Sequence, residues 1–234
     1  RDRFRSDLNK VFNRLENNIP FSINRFGDGE MMIIENIPID LSKKHNGEHK
    51  YDPKDPKYGV LRNEMIEAIK YKNSNYFVGL PCPTCVGVDK STKIYNYANQ
   101  LDQNITWATL FGNSNYDTFL TNITKSLKDK EIVLICNENA KTTFFNSIGC
   151  KIIKEFRVGA NAWLNNYNLS NEILEYSKNV NPNTVFLFMA GTLTKICIYK
   201  IHKTRQDLFL IDIGSSSVTY THLRAHETGR NLVC

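Results

Sequence analysis

The chain has 234 residues, of which 41% are hydrophobic and 23% are charged, so it suits a globular protein of one large or two small domains. Its net charge of +6 is mildly basic, and its Lys and Arg residues are scattered, which favours an anionic ligand over nucleic acid. No run of 18 apolar residues occurs, so we expect no transmembrane helix, while peripheral membrane contact stays open.

The chain begins with an amphipathic helix over residues 3 to 16. Its apolar positions recur at helical spacing, namely Phe4, Leu8, Val11, Phe12 and Leu15. Pro20 ends this helix, and an apolar strand starts at Phe21. The chain begins with Arg1 rather than Met, so we interpret it as a fragment or a trimmed chain.

The segment from Arg25 to Glu30 is the most informative stretch, because Gly27 and Gly29 alternate with Asp28 and Glu30 between a strand and a helix. Glycines allow positive φ and close approach to a ligand. Carboxylates two residues apart in a turn can converge on one hard cation. Arg25 could hold a phosphate or lock the two acids. A plain turn before a helix that favours acids in its first turn explains the same residues, so both interpretations stay open.

Two nucleotide-binding templates do not fit. The three-glycine dinucleotide fingerprint has Met32 at its third glycine position, and the phosphate loop that ends in Gly-Lys-Ser/Thr is absent.

A polar loop follows over residues 37 to 55, and it could cover a site. Within it, His45, Glu48 and His49 fit a zinc-protease pattern that requires a helix. Gly47 and the polar surroundings argue against that helix, so we favour a solvated loop. The elements predicted next are a helix over Pro56–Tyr71, a strand over Asn75–Leu80, a helix over Thr92–Leu101, a short strand over Thr106–Phe111 and a helix over Tyr116–Leu127.

Among the six cysteines, only Cys82 and Cys85 are closely spaced. A zinc ribbon needs a second such pair, and a thioredoxin-like pair is expected after the first strand of its fold. Cys136 and Cys197 lie in apolar surroundings that are typical of small core residues. We therefore expect reduced thiols and a cytoplasmic protein.

The second half alternates apolar strands with helices. The strands are predicted over Glu131–Cys136, Lys151–Val158, Thr184–Met189 and Leu208–Ile213, and the helices over Ala140–Ile148 (with Gly149 as its C-cap), Asn171–Lys178 and Ile196–Ile201. This rhythm predicts an α/β fold with a mostly parallel sheet and helices on both faces. Ligands of such sheets lie at the carboxyl ends of the strands. The unusual residues follow strand ends, at Asp28 and Glu30, Asn137 and Glu138, 191–195 and 212–215.

Three later segments have both a functional and a structural interpretation. Residues 191–195 open a helix, where N–H groups with Thr192, Thr194 and Lys195 could bind phosphate, or Thr192 could simply cap the helix. Asp212 either caps the next element or serves the site. Asn161 and Trp163 follow a strand end, where Trp163 could stack on a base or sugar, although packing is commoner for a lone aromatic residue.

The pattern from Arg25 to Glu30 resembles the signature of the GT-D-type glycosyltransferases. The resemblance continues at residues 159–163, which are similar to the family's Asn-Ala-aromatic segment, at 190–195, which are similar to its Gly-Pro-Thr-Ala-Lys-like turn, and at 211–214, which are similar to its closing Asp-Ile-Gly. The order and spacing of these blocks hold from about residue 20 to residue 217. The first block is fairly specific, and the others are persuasive together.

The resemblance implies a Rossmann-like fold and a transferase that moves a sugar from a nucleotide sugar to a glycan or glycoprotein acceptor during surface-glycan assembly. It implies a divalent cation, Mn²⁺ or Mg²⁺, bound by Asp28 and Glu30, with Arg25 assisting at the diphosphate or bracing the acids. The positions that the resemblance assigns to the nucleotide-sugar site are Gly27, Gly29, Asn161, Gly191, Thr192, Lys195, Asp212 and Ser215. Such a cation neutralises the diphosphate leaving group.

The chain departs from one branch of the family, in which a His and acidic residues follow the closing Asp-Ile-Gly. Residues 215–217 are all serine here, so the base that activates the acceptor is unassigned, and the stereochemical outcome stays open. Residues 218–234 resemble a translated sequencing adapter at the end of a reading frame. We therefore expect a single domain over residues 1–217 and a non-native tail, in which His222, His226 and Glu227 have no function.

Two other functions remain compatible with the sequence. A metal-dependent phosphohydrolase acting on nucleotide or sugar phosphates would use the same acids without an acceptor. A non-catalytic module that binds a nucleotide or a glycan would have the same fold without the activity.

Overall fold

The computed structural model describes residues 2–40, 50–140 and 142–214. The helices are α1 (Asp2–Glu16), α2 (Asp28–Ile34), α3 (Pro56–Lys70), α4 (Pro83–Val86), α5 (Val88–Ala98), α6 (Tyr116–Leu127), α7 (Thr143–Ser147), α8 (Ala162–Asn165), α9 (Tyr167–Ser177) and α10 (Leu193–Thr204). The strands are β1 (Ser22–Arg25), β2 (Ile39–Asp40), β3 (Lys50–Tyr51), β4 (Tyr76–Leu80), β5 (Ile105–Trp107), β6 (Glu131–Asn137), β7 (Lys151–Val158), β8 (Val185–Met189) and β9 (Phe209–Asp212).

In the described ranges, seven strands form one sheet in the order β5-β4-β1-β9-β8-β6-β7, and every neighbouring pair is parallel. Strands β2 and β3 form a separate antiparallel pair. Parallel strands need crossover connections, and helices supply them here. The predicted α/β fold with a mostly parallel sheet is therefore confirmed.

Helices cover both faces of the sheet. One face packs against α2, α3, α5, α8, α9 and α10, and the other packs against α1, α6 and α7. Strands β6 and β8 are buried on both faces, which explains why their sequences are continuous apolar runs. No helix in the described part of the chain is long and apolar enough to span a membrane.

Several element boundaries differ from the sequence-based expectations. Helix α5 begins at Val88, four residues before the predicted start, because Gly87 adopts a φ of +84° and separates α5 from the short helix α4. Strand β5 ends at Trp107, after which the chain turns instead of continuing to Phe111. The predicted loop over residues 37–55 contains β2 and β3, and its His-x-x-Glu-His segment at 45–49 lies outside the described residues.

Strand β1 carries two polar side chains, Ser22 and Asn24, that are buried against the helices. Asn24 donates to the Tyr76 hydroxyl at 2.7 Å and to the Lys195 carbonyl at 2.9 Å. Ser22 Oγ lies 2.7 Å from Nδ1 of His202, a fully buried residue of α10. These bonds give partners to Ser22 Oγ and to the amide nitrogen of Asn24, which would be costly to bury alone, and they join the central strand to α10.

We expect His202 to make folding less favourable in mild acid. Burial lowers its pKa to about 4 from the ordinary value of 6.5, and Nε2 has no hydrogen-bond partner among the residues that the structure describes. Between pH 6.5 and pH 4 the His202 side chain is protonated in the unfolded chain but not in the folded one. The free energy of unfolding is therefore highest above pH 6.5 and falls as the pH drops towards 4. The loss is about 3 kcal/mol across that window. Urea unfolding at pH 7, 6, 5 and 4.5 measures it.

His202→Gln is the matched control, because glutamine does not titrate in this range. The pH dependence of its unfolding free energy should be shallower than that of the wild-type chain. Equal slopes for the two proteins would contradict the assignment to His202.

Candidate active site

The candidate site lies where the order of the strands reverses. The chain places β4 and β5 on one side of β1, and β9 with the remaining strands on the other. A crevice at such a reversal, at the carboxyl ends of the strands, is where open α/β sheets bind ligands. The residues that follow β1 and β9, together with the start of α10, meet at this edge. Of the four segments predicted to share this edge, three are therefore in contact, and Asn137 and Glu138 are not part of these contacts.

Asp212 is the centre of this cluster and is only 2% exposed. Its Oδ2 forms a close ion pair with Lys195 Nζ and accepts from the Arg25 backbone N–H at 3.2 Å. Its Oδ1 accepts from the Gly214 N–H at 3.1 Å and lies 3.5 Å from Arg25 Nη2. Burial alone would raise the pKa of the Asp212 carboxyl, but the charges and hydrogen bonds of Lys195 and Arg25 outweigh it and hold that pKa below its usual range. The Asp212 side chain is therefore a buried, ionised carboxylate that holds Lys195, Arg25 and Gly214 together.

Arg25 is held in place from several directions. Its Nη1 donates to the Ala108 carbonyl at 2.9 Å, and its guanidinium carbon lies 5.3 Å from the centre of the Phe111 ring. A Cβ added at Gly214 would lie 2.3 Å from Arg25 Nη2, and Gly214 has a φ of +52°. Only glycine satisfies both the backbone conformation and the space at this position. Arg25 therefore holds Asp212 in position. Because its side chain is only 13% exposed, little of its surface is available to a ligand.

Glu30 and Asp28 lie in the first turn of α2 but have different surroundings. Glu30 Oε2 accepts from the N–H of Gly27, the N-cap residue, at 2.9 Å, and Oε1 lies 3.7 Å from Lys195 Nζ. Asp28 is exposed, and its Oδ1 accepts from the Gly29 N–H at 2.9 Å. Residues two apart on a helix do not face each other. Glu30 therefore belongs to the internal charge cluster, while Asp28 faces the solvent.

The glycines of this turn do not have the role that their spacing suggested. Gly27 has a φ of −82° and acts as the N-cap of α2, and Gly29 is a helical residue without positive φ. A Cβ at Gly27 would approach Glu30 Oε2 to 3.1 Å, whereas a Cβ at Gly29 would meet nothing within 4 Å. Gly27 thus makes room for the Glu30 carboxylate, and the expectation of positive φ at these positions is wrong.

The start of α10 contributes mainly Lys195. Gly191 has a φ of +55°, and Thr192 is the N-cap residue, although its side chain makes no capping hydrogen bond. The N–H groups of Thr194 and Lys195 already donate to the carbonyls of Gly191 and Thr192. Thr194 is buried, and its hydroxyl accepts from the Ala190 N–H. The lysine ammonium points inward to Asp212 and Glu30.

Asn161 and Trp163 serve packing in the structure. Asn161 has a φ of +49°, and its Oδ1 accepts from the Lys50 N–H at 3.1 Å, which ties β3 to the start of α8. Trp163 is 4% exposed, and its ring packs against Tyr51 and Tyr58. The remaining predicted site residue, Ser215, and the predicted tail at 218–234 lie outside the described residues.

Sequence reasoning missed three supports of the cluster. Asn24 bonds to the Lys195 carbonyl, the Ala108 carbonyl receives Arg25, and the Phe111 ring covers the guanidinium. An Asn inside a predicted strand was a usable signal for the first. Nothing in the sequence indicates the other two, because a carbonyl and a ring acquire these roles only through tertiary packing.

The residues present can supply part of a metal site. In the described ranges, no group of three or more His, Cys, Asp or Glu side chains could hold a metal ion by itself. Mg²⁺ and similar ions are commonly bound by one or two carboxylates together with water and substrate phosphates. The exposed Asp28 could bind a cation in this way. Glu30 could bind the same cation only if its carboxylate left the Gly27 N–H and Lys195.

Comparison with solved structures identifies the fold. No protein-family model matches the chain, and no curated protein matches it significantly. One similar structure is described as "The highly conserved domain of unknown function 1792 has a distinct glycosyltransferase fold"; it has a TM-score of 0.62 and 15% identity over 95% of this chain and 83% of its own. Another is "A New Glycosyltransferase (DUF1792) from Streptococcus sanguinis", with a TM-score of 0.61 and 15% identity over 94% and 85%. This chain shares their fold.

Proposed function

We propose that the chain is a metal-dependent glycosyltransferase that moves a sugar from a nucleotide sugar to a glycan or glycoprotein acceptor. The observation that carries the proposal is the charged cluster of Arg25, Glu30, Lys195 and Asp212 at the strand-order reversal, with Asp28 beside it. The fold supports it, because a structural neighbour is described as a glycosyltransferase. The proposal places this activity in the assembly of surface polysaccharides or glycoconjugates.

The charges of the site favour a cation together with a diphosphate. Arg25 and Lys195 supply two positive charges, and Asp28, Glu30 and Asp212 supply three negative ones, so the formal charge is −1. A nucleoside diphosphate would be repelled by this set, and a divalent cation turns the balance to +1. Mn²⁺ or Mg²⁺, when bound, would neutralise the leaving diphosphate.

Each residue has a distinct role in this proposal. Asp28 is exposed and supplies the first carboxylate to the cation, and Glu30 supplies the second when the donor binds. Lys195 and Arg25 fix Asp212, so that α10 and β1 keep a constant position relative to β9. The small exposed surface of Arg25 contacts the diphosphate, as do the backbone groups of Gly191 and Thr192. No acceptor base is assigned.

Thermal unfolding in the presence of donors tests the proposal. We expect a nucleoside diphosphate sugar and Mn²⁺ together to raise Tm by about 5–10 °C near 100 times Kd, and either one alone to raise it much less. A panel of sugars and nucleotides then identifies the donor, and transfer to a saccharide acceptor confirms the reaction. Phosphate release from simple phosphomonoesters would indicate a phosphohydrolase instead. Donor binding with no turnover would indicate a binding module.

A further inference from the structure

The segment that follows β4 contains a pair of cysteines that the proposed transferase does not use. Cys82 is the N-cap residue of α4, and Cys85 lies in that helix, with its N–H donating to the Cys82 carbonyl at 2.9 Å. The two Sγ atoms are 2.9 Å apart. Neither cysteine is in a disulfide, and the turn already holds the two sulfur atoms in contact.

The pair is more accessible than the core cysteines. Cys150 is half-buried like Cys82, but burial raises the pKa of its thiol, which donates to the Phe145 carbonyl. Cys85 is exposed and Cys82 is half-buried, whereas Cys136 and Cys197 are buried in the core. Burial raises the pKa of the Cys136 thiol and raises that of Cys197 to about 12, so neither forms a thiolate readily. Burial also acts to raise the pKa of Cys82, but hydrogen bonds from the Cys85 thiol, the backbone of Cys85 and Thr84, and the Thr84 hydroxyl outweigh it and lower that pKa. The thiolate is the reactive form of cysteine.

The pair lies at the carboxyl ends of the parallel strands, as the candidate site does. β4 is hydrogen-bonded to β1, with Gly79 in register with Arg25. The Leu80 carbonyl accepts from the Ala108 N–H, and the Ala108 carbonyl holds Arg25. Cys82 is two residues beyond Leu80, so it follows directly the strand end that helps to position the arginine.

We propose that Cys82 and Cys85 form a reversible thiol–disulfide centre that exchanges with low-molecular-weight disulfides. The Cys82 thiolate attacks one sulfur of the small disulfide, forms a mixed disulfide and releases one thiolate. Cys85 loses its proton to solvent, and its thiolate attacks the Cys82 sulfur and releases the second small thiolate. The protein dithiol loses two electrons and two protons, and the small disulfide becomes two thiols. This centre does not depend on the proposed transferase activity.

Glutathione redox buffers followed by acid quenching and tryptic mapping test the proposal. Both cysteines lie in one tryptic peptide, 73–90, so the intramolecular disulfide appears as the loss of two hydrogen atoms from that peptide. We expect this loss with oxidised glutathione, complete reversal with reduced glutathione, and a two-electron dependence on the glutathione ratio. The peptides that contain Cys136, Cys150 and Cys197 should keep their thiols under the same buffers.

Single variants separate the two sulfur atoms. Cys85→Ser should accumulate the Cys82–glutathione mixed disulfide, at a level on the order of tenfold above the wild-type chain, because the resolving thiol is missing. Cys150→Ser is the matched control and should oxidise at 73–90 like the wild type. The proposal is overturned if peptide 73–90 keeps both thiols under oxidised glutathione, or if Cys82 and Cys85 pair mainly with other cysteines or between molecules.

Discussion

Asp212→Asn is expected to lower the free energy of unfolding by about 3–5 kcal/mol, because it removes one partner from a buried ion pair. Lys195, whose side chain is 6% exposed, would keep its charge beside a neutral amide, and Arg25 would lose its carboxylate partner. Urea unfolding at pH 7, followed by circular dichroism, measures the loss. Because the folded pKa of Asp212 is depressed, its contribution is present above the unfolded pKa of about 3.9 and is lost at lower pH.

Two controls distinguish this loss from a general effect of removing a carboxylate. Glu131→Gln breaks an ion pair with Lys151, whose side chain is 69% exposed, so the loss should be small compared with that for Asp212→Asn. The double variant Asp212→Asn/Lys195→Met removes both charges and should recover at least half of the loss. A cost for Asp212→Asn no larger than that for Glu131→Gln would contradict the internal role of this carboxylate.

The sheet could be predicted from the sequence because its signals are local. Continuous apolar runs such as 131–136 and 184–189 indicated strands buried on both faces, and the alternation with helices indicated parallel pairing. The rule that ligands lie at the carboxyl ends of strands then brought Asp28, Lys195 and Asp212 to one edge. The boundaries failed where one residue controls the backbone, as at Gly87.

The partners within the site could not be predicted, because they depend on contacts across the sheet. Arg25 and Asp212 are 187 positions apart, and no local pattern couples them. Lys195 fitted a phosphate ligand in the sequence, but the packing of α10 against β9 brings the Asp212 carboxylate into its reach. The motif around Asp28 likewise suggested two equivalent acids, whereas the helical turn separates them. Spacing identified the residue types of the site, and packing decided which charges neutralise each other.

Asp28→Asn is expected to reduce kcat/KM for sugar transfer in the presence of Mn²⁺ by about 100-fold or more, the loss typical of removing one group that stabilises charge in a transition state. The exposed carboxylate makes few structural contacts, so the free energy of unfolding should change by less than about 1 kcal/mol, which is the scale of an acid in the first turn of a helix. Steady-state transfer assays over a range of Mn²⁺ concentrations measure both the loss and any shift in metal dependence.

Asp129→Asn is the matched control for the charge change. Asp129 is exposed, has a φ of +62° that asparagine tolerates, and precedes β6 at the opposite edge of the sheet. The transfer rate of the Asp129→Asn variant should equal that of the wild-type chain. Equal rates for Asp28→Asn and Asp129→Asn would remove Asp28 from the proposed metal site.

Glu30→Gln distinguishes a metal ligand from a structural cap. The glutamine oxygen can still accept from the Gly27 N–H, so the start of α2 is preserved, while the negative charge beside Lys195 is lost. If Glu30 joins the cation when the donor binds, this variant should need a higher Mn²⁺ concentration for half-maximal transfer, as Asp28→Asn does. If Glu30 only caps the helix, its metal dependence should match that of the wild-type chain. The cation would then be bound by Asp28 and by the phosphates of the nucleotide sugar, which is possible because Asp28 is exposed.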